Sequence, residues 1–431
     1  MQLPISTVAR RALSATSLGL VLMLAACGDG EPIAGPPGGG GGNQVLTVTN
    51  GNGQNEFTGN FTSIAPVVRV TRNGAARPGV TVSFAVTQGG GSIVGATAVT
   101  SAAGHATLKS WRFGAVGAQQ LTASIPADAN AVPVNVTGTA TTVPASQFNV
   151  DVEFVGPTPS PARQAAFASA ATRWQQLIVG DIPAFTLNQS CGSGFPIPGS
   201  VDDLVVYAVI DSIDGPGQVL GFAGPCFVRS GSQLPISGVM VFDSADVAGL
   251  EGANQFLAVV LHEMGHVLGF GTLWGPPGPS TPGFDLLRPT ECAAQGFFRG
   301  TSAMQAFWAA TTTGLFPRTP VPIEDNPALP CPGGTRDGHW READLNAELM
   351  TGFLEAPGTS TPLSAISVAS LRDMGYVVND AAADAFTFVP PAALQGLTAE
   401  DRRLEIREAP LPWPIRVVDE RGNVVGTTPR R

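Results

Sequence analysis

Residues 255–270 read QFLAVVLHEMGHVLGF and predict an apolar helix that contains the motif His262-Glu263-Met264-Gly265-His266. At 3.6 residues per turn, positions i and i+4 share one helix face, so the two imidazoles can bind one metal ion. Glu263 is rotated by about 100° from His262 and stands beside that ion. From there a carboxylate can take a proton from water and deliver it to a leaving amine.

The motif is improbable as a chance event. The chain has 4 His among 431 residues, so a random His-Glu-x-x-His is expected on the order of 10⁻³ times. Leu261, Met264 and Val267 surround the polar groups, and burying those groups without a partner would be unfavourable. The sequence therefore predicts a metal site with one catalytic Zn²⁺ as its cofactor.

A third protein ligand is needed, because catalytic zinc sites usually combine three protein ligands with one open position. In metalloproteases of the short-spacer metzincin type, the third histidine lies three residues after the glycine that follows the helix motif. The corresponding residue here is Thr272, three residues after Gly269, and threonine cannot replace a histidine. The other histidines are His105, which we expect in an exposed turn of a separate domain, and His339. By elimination, His339 is the predicted third ligand.

The helix motif, a long insertion, His339-Trp340-Arg341-Glu342 and Glu348-Leu349-Met350 together resemble the leishmanolysin family of metzincin metalloproteases. The resemblance covers roughly residues 147 to 380. It implies a zinc endopeptidase that acts on proteins or peptides, with an edge strand near residues 236 to 242 binding the extended substrate. The roles that it implies are metal ligation by His262, His266 and His339, general-base catalysis by Glu263, and a Met-turn at Met350.

Two other functions are compatible with a zinc-binding helix. One is an adhesin or stalk protein whose zinc is not catalytic, and the other is a zinc hydrolase that acts on a substrate other than a peptide. Glu263 argues against the adhesin, because a structural site needs no base and usually closes its fourth position with protein. Only the resemblance to the leishmanolysin family disfavours the second alternative.

Length and composition predict a folded protein with two to three domains. The 431 residues are 43% apolar and 13% charged, and they include 53 Gly and 37 Pro, so the chain is globular and rich in turns. The net charge is −10. An acidic chain without a basic stripe is a poor candidate for nucleic-acid binding, so we expect no nucleic-acid partner.

The N-terminus has the order of features found in a secretory signal. Arg10 and Arg11 precede an apolar stretch from about Leu18, which is too short to span a bilayer stably. Its last residues, Leu24-Ala25-Ala26-Cys27, resemble the bacterial lipobox. The prediction is a signal peptide at 1–26, a lipidated Cys27 that anchors the protein to a membrane, and a Gly/Pro-rich tether at 27–43. We expect an exported lipoprotein of the outer membrane or cell surface.

Residues 44–142 contain short β-prone runs separated by turn residues, which predicts a β-sandwich. The expected strands are 45–49, 67–71, 80–86, 106–111, 120–124 and 134–137. The stretches Pro78-Gly79-Val80-Thr81-Val82-Ser83-Phe84, Gly89-Gly90-Gly91-Ser92 and Ala103-Gly104-His105-Ala106-Thr107 resemble bacterial Ig-like domains of the invasin type. That resemblance implies a spacer or a stalk with a role in cell-surface adhesion.

Residues 147–383 mix helix and strand signals, and the whole chain is expected to be an all-β Ig-like sandwich followed by an α+β metzincin-type protease domain. Ser160-Pro161 begins a helix that ends at Gly180, and 204–210 and 238–242 are buried strands. The insertion at 273–338 is expected to form covering loops. The tail at 384–431 is expected to contain a hairpin.

Four cysteines, besides Cys27, are an even number in an exported chain and favour two disulfides. Three pairings are possible. The shortest loops would join Cys191 to Cys226 and Cys292 to Cys331, but spacing alone does not select this pairing.

Overall fold

The computed structural model describes residues 42–278, 281–288, 295–311, 319–326, 329, 334–388, 404–408 and 411–428. Residues Asn43–Arg431 form one compact unit. The predicted signal peptide, Cys27 and all but the last two residues of the tether lie outside the described residues. In the described part of the chain, no helix has the length and apolarity needed to cross a membrane.

The N-terminal part is a β-sandwich around its own apolar core, which includes Val68, Val82, Trp111, Leu121 and Val136. Sheets with the orders β1-β3-β4, where β8 also pairs with β3, and β2-β11-β10-β5-β7 form its layers, and β6 pairs with β9. The strands are β1 (Gln44–Asn50), β2 (Gln54–Phe57), β3 (Val67–Arg72), β4 (Ala75–Ala76), β5 (Thr81–Gln88), β6 (Ser92–Val94), β7 (Thr97–Val99), β8 (His105–Thr107), β9 (Ser110–Arg112), β10 (Gly117–Ser124) and β11 (Val134–Thr141).

Two local predictions for the sandwich are wrong. The run 106–111 is two strands, because β8 pairs with β3 whereas β9 pairs with β6. Burial alternates up to Leu108, but Ser110 and Trp111 are both buried, so the chain leaves one sheet and enters another there. His105 is exposed as expected, but it is the first residue of β8 and pairs with Arg69 instead of lying in a turn.

The second part is built on a seven-stranded sheet with the order β12-β15-β17-β16-β24-β25, and β23 also pairs with β16. β12, β15 and β17 are parallel, and β16 is antiparallel to β17. Its first elements are β12 (Val150–Phe154), α1 (Pro161–Leu177), β13 (Phe185–Leu187), β14 (Gly199–Val201), β15 (Leu204–Asp211), β16 (Val219–Arg229), β17 (Pro235–Asp243), α2 (Ser244–Gly252) and α3 (Phe256–Val267).

Both faces of this sheet are covered, which explains why β15 is a continuous apolar run. Val206 and Ala208 belong to the core cluster that contains α1 and α3, while Val205 and Tyr207 belong to a second cluster. Helix α1 begins as predicted, with Pro161 at its first position and the Ser160 side chain accepting a hydrogen bond from the Arg163 N–H.

Strand β17 is an interior strand, and this corrects the expectation that a substrate pairs with residues 236 to 242. It hydrogen-bonds to β15 on one side and to β16 on the other, so it has no open edge. β16 lies on the side of β17 away from β15, and its other side pairs with β23 and β24 from the C-terminal part of the chain.

The chain continues through β18 (Leu287–Arg288), β19 (Phe297–Phe298), α4 (Thr301–Ala310), β20 (Val321–Pro322), α5 (Glu342–Leu345), β21 (Phe353–Leu354), α6 (Ala365–Asp373), a 3-10 turn (Asp380–Ala382), β22 (Leu404–Glu405), β23 (Arg407–Glu408), β24 (Arg416–Val418) and β25 (Val424–Thr427). The insertion is therefore more than covering loops. Trp274, Phe298 and Phe307 are fully buried, because they join the main core together with α4 and α6.

The β-sandwich contacts α4, α6 and the 3-10 turn through buried polar groups. The Thr62 hydroxyl donates to Gln305 Oε1 at 2.9 Å, and the Asn60 amide donates to the Val378 carbonyl at 2.9 Å. Arg372 donates to the Phe61 carbonyl and to Asp380 Oδ2, both at 2.7 Å. Each part thus has its own core, and a hydrogen-bonded interface joins them; the predicted domain boundaries stay a prediction.

Candidate metal centre

Helix α3 places two histidines on one buried face. His262 and His266 are 1% and 2% exposed, and they are one helical turn apart. The helix ends at Val267, and Gly269 then adopts φ +100°, a conformation that favours glycine. This turn brings the Phe270 carbonyl to His266, whose Nδ1 donates to it at 2.9 Å.

A distant loop supplies the third histidine. His339 is fully buried and its Nδ1 donates to the Thr335 carbonyl at 2.7 Å. Its neighbour Trp340 fixes the backbone, because the Trp340 N–H donates to the Met350 carbonyl and the indole N–H donates to Ser367 Oγ at 2.8 Å. The structure therefore brings together His339 and the two helix histidines, which are more than 70 residues away in sequence.

The Nε2 atoms of the three rings point at one another. They are 3.1 Å apart between His262 and His339, 3.1 Å between His262 and His266, and 3.0 Å between His266 and His339. Each Nδ1 faces a carbonyl oxygen, that of Leu349 in the case of His262, and a carbonyl can only accept. In the neutral rings Nδ1 therefore carries the proton, and three Nε2 lone pairs converge on one point.

Three converging lone pairs in a buried site fit a cation. Imidazole nitrogens are common zinc ligands, and backbone carbonyls that orient the other ring nitrogen are the usual outer contacts of such ligands. The three histidines form a group that could hold a metal ion. The donor set and its carbonyl partners thus fit the zinc that the sequence predicts.

Glu263 lies fully buried beside the histidines. A methyl group placed on Gly221 would lie 3.8 Å from Glu263 Oε1, so the carboxylate faces the first residues of β16. The sequence predicts this residue as the base, and the structure places its carboxylate at the start of β16, on the helix that carries His262 and His266.

Met350 lies under helix α3. A methyl group on Gly265 would be 2.8 Å from Met350 Cε, and the helix therefore rests on the thioether. Glu348 holds this segment, because its carboxylate accepts from the Met350 N–H at 2.7 Å and from the hydroxyls of Ser364 and Ser367 at 2.7 and 2.6 Å. Burial raises the pKa of Glu348. Sequence reasoning gave Glu348 no role, and only its position two residues before Met350 could have drawn attention to it.

Sequence reasoning also did not predict the aromatic cluster behind the site. The Trp274 ring lies 4.5 Å from Phe270, 4.9 Å from Phe298 and 4.9 Å from Trp340, centroid to centroid. Aromatic packing of this kind adds to area burial. The cluster fixes Trp340, and with it the backbone that carries His339.

The cysteines have different outcomes. Cys191 and Cys226 form a disulfide with a Cα–Cα distance of 5.4 Å. This is the suggested pair with the shorter loop, because the two cysteines are 35 residues apart in sequence. Cys226 lies in β16, so this bond ties the loop before β14 to that strand. Cys292 and Cys331, the other suggested pair, lie outside the described residues, as does Cys27.

A second group of acidic residues, Asp181, Asp202 and Asp203, lies within metal-binding distances. Only Asp203 is buried, and its oxygens accept from the backbone N–H groups of Asn149 and Ile182. Burial raises the pKa of Asp203. These contacts give Asp203 a structural role, because it joins the entry to β12 to the segment after α1.

One family model matches the chain. The leishmanolysin peptidase family model matches residues 187–274, about a fifth of the chain. The matched part contains β15 to β17, the disulfide and helix α3, and it ends before His339. No curated protein matches the chain.

Similar solved structures match at low identity. The D00-D0 domain of intimin is 22% identical over 22% of this chain and 45% of its own chain, with a TM-score of 0.19. The D0-D1 domain of intimin is 19% identical over 26% and 56%, with a TM-score of 0.19. A Bacteroides ovatus GH5 xyloglucanase in complex with a XXXG heptasaccharide is 11% identical over 50% and 43%, with a TM-score of 0.16.

This chain thus spans about half the length of each of those structures, and TM-scores of this size establish no shared overall fold. The family match is of a different kind, because it includes the helix that carries two of the three histidines. Together with the histidine group, it supports a metalloprotease in general.

Proposed function

We propose that the protein is a surface-anchored, zinc-dependent endopeptidase of the metzincin type. The observation that carries the proposal is the convergence of three buried Nε2 atoms, two of them from the helix that also carries the buried Glu263. A structural zinc site usually has four protein ligands. Here, among the described residues, the group contains three histidines and no further ligand atom, which favours a catalytic role.

In this function, each side chain has a defined task. Zinc, when bound by His262, His266 and His339, supplies Lewis acidity to a hydrolytic reaction. The Leu349, Phe270 and Thr335 carbonyls hold the three rings in the required tautomer. Glu263 accepts the proton of the attacking water at a carboxylate oxygen and passes it to the nitrogen of the leaving amine.

The Met350 segment supports the site from below, in the role of the Met-turn. It touches both the zinc-binding helix at Gly265 and the backbone of Trp340, next to His339. One segment thus fixes both sources of histidine ligands. Its own conformation is fixed by the buried Glu348 carboxylate.

Anchoring at the cell surface is the part of the proposal that rests on sequence alone. The lipobox-like Leu24-Ala25-Ala26-Cys27 and the Gly-rich stretch that follows support a lipid anchor and a tether. The family match and the site support proteins or peptides as substrates. Adhesion through the β-sandwich would be an additional role.

The test is zinc content and casein cleavage by residues 43–431, as wild type and as Glu263→Gln. Both proteins should bind zinc, and the substitution should lower the cleavage rate by roughly 10²- to 10⁴-fold, the usual contribution of a general base. Equal cleavage by the two proteins would contradict the role of Glu263. Zinc binding without cleavage by any variant would favour the non-catalytic adhesin.

A further inference from the structure

The outer edge of β16 is occupied by the chain's own C-terminal residues. β23 runs parallel to the start of β16, with Val219 opposite Arg407 and Gly221 opposite Glu408. β24 runs parallel to its end, with Phe227 opposite Arg416 and Arg229 opposite Val418. The edge that an extended peptide would need for strand addition is therefore already paired.

Residues 404–408 also pair on their other side. β22 is antiparallel to β21, with Phe353 opposite Glu405. The Ile406 N–H donates to the Gly352 carbonyl at 2.9 Å, and the Ile406 carbonyl accepts from Thr335 Oγ1 at 3.2 Å. Ile406 is 3% exposed and belongs to the main core cluster. Residues 404–408 thus lie between two segments, the start of β16 and β21 with the preceding Gly352, and they are hydrogen-bonded to both.

These two segments are the rims of the groove that holds residues 404–408, and both lie next to residues of the candidate metal centre. On one side, a methyl group placed on Gly352 would collide with Thr335 and would lie 3.4 Å from Cγ of His339. On the other side, a methyl group placed on Gly221 would lie 3.8 Å from Glu263 Oε1. Residues 406–408 therefore cross from the His339 side to the Glu263 side of the site.

We propose that the groove between β21 and the start of β16 is the peptide-binding groove, and that residues 404–408 occupy it as a built-in inhibitor. This inference rests on the proposed peptidase function and deepens it. The groove recognises the main chain of an extended peptide from both rims, and it takes an aliphatic side chain at the position of Ile406.

The rest of the tail explains how a five-residue segment stays in place. The Trp413 indole donates to the Pro225 carbonyl at 3.1 Å, and Leu411 packs over Gly224. Ile415 and Val417 are buried in the main core. Because these contacts hold the tail on β16, residues 404–408 face the groove at a high effective concentration and exclude a free peptide.

The first variant is Ile406→Asp, which places a charge in a buried aliphatic position and should expel the segment from the groove. The matched control is Val425→Asp, which makes the same type of change on the same tail at a position that is 49% exposed. Ile406→Ala is a milder variant that keeps an apolar side chain, and it tests the proposal if Ile406→Asp does not fold. Zinc content and the melting temperature verify that each protein is folded.

We expect casein cleavage to rise by roughly 10-fold or more in Ile406→Asp and by less in Ile406→Ala, because inhibition scales with the occupied fraction of the groove. Val425→Asp should behave like the wild type. If the folded Ile406 variants cleave casein at the wild-type rate, and the wild type is itself active, the inhibitor proposal is overturned.

A binding measurement separates this proposal from the peptidase function. A fluorescein-labelled peptide with the sequence of residues 402–410 is titrated against Glu263→Gln and against Glu263→Gln/Ile406→Asp, and anisotropy is recorded. Binding by the double variant alone supports the occupied groove, even if no variant cleaves casein, in which case only the hydrolytic function fails. Binding by both proteins equally, or by neither, overturns the groove assignment.

Discussion

Gly265 of helix α3 lies directly on Met350. A methyl group at position 265 would be 2.8 Å from Cε and 3.1 Å from Sδ of Met350, and 3.2 Å from Cζ2 of Trp174. Glycine is normally unfavourable inside a helix by roughly 0.5–1 kcal/mol relative to alanine. The close approach to the thioether is a sufficient reason for glycine at this position, between Glu263 and His266.

Gly265→Ala should therefore destabilise the protein although alanine favours helices. Overpacking against Met350 and Trp174 should lower the free energy of unfolding by about 1–3 kcal/mol and weaken zinc binding. The control is Gly249→Ala in α2, where the added methyl group would meet nothing within 4 Å beyond the chain neighbours and the backbone of its own helix. Urea unfolding and competition with a zinc chelator measure both effects. Equal stability of Gly265→Ala and Gly249→Ala would contradict a tight contact between Gly265 and Met350.

The ion pair of Arg372 and Asp380 should be important for stability, because Asp380 is fully buried and Arg372 is largely so. The atoms are 2.7 Å apart, and the side chains are 11% and 0% exposed. Arg372→Met leaves the Asp380 charge uncompensated, so the free energy of unfolding should fall by about 3–5 kcal/mol.

Arg163→Met is the matched control for this prediction, because Arg163 pairs with Glu251 near the surface, where the side chains are 27% and 34% exposed. Its effect should be about 0–1 kcal/mol. Denaturant titrations measure both free energies of unfolding. A loss for Arg372→Met as small as the loss for Arg163→Met would show that this ion pair at the interface with the β-sandwich contributes little to stability.

The Cys191–Cys226 disulfide should stabilise the protein by tying the loop before β14 to β16. It closes a separation of 35 residues, for which chain entropy predicts a contribution of roughly 3–4 kcal/mol. The double variant Cys191→Ser/Cys226→Ser should lose about that much in the free energy of unfolding while keeping its zinc. A double variant with wild-type stability would refute this contribution.

Glu355 should make stability depend on pH. Burial raises the pKa of its carboxyl from 4.5 to about 7, so the folded protein binds more protons than the unfolded chain between these values. Stability of the wild type should therefore fall as pH rises from about 4.5 to about 7, by at most about 3 kcal/mol.

Glu355→Gln should remove this dependence on pH. The difference in the free energy of unfolding between variant and wild type should therefore shift in favour of the variant as pH rises from 4.5 to 8. Melting temperatures across this pH range measure the difference, with the exposed Glu420→Gln as control. If Glu355→Gln and the wild type show parallel curves, the buried carboxyl does not cause the pH dependence.

The strongest local patterns in the sequence predicted their elements well. Pro161–Leu177 and Phe256–Val267 are helices close to the predicted bounds, because each has a complete apolar face and a clear end. The hairpin in the tail is also present, as β24 and β25. These elements depend on local spacing, which a single sequence contains.

Features that depend on tertiary pairing were missed or wrongly predicted. The sequence predicts an edge strand at residues 236 to 242, but β17 is an interior strand, because buried strands have similar apolar sequences and order in a sheet is not local information. The position of residues 404–408 over the site could not be predicted for the same reason. Glu348 was missed because a buried carboxylate resembles a surface residue until its serine partners are known.

In the proposed peptidase, His339 completes one metal centre with His262 and His266. The most direct measurement is zinc affinity of the wild type, His339→Ala and, as the control, His105→Ala, whose side chain is exposed on the β-sandwich. The wild type and His105→Ala should bind about one zinc per chain, and His339→Ala should bind it more weakly by roughly 100-fold or more. Equal zinc affinity of His339→Ala and the wild type would contradict the metal centre.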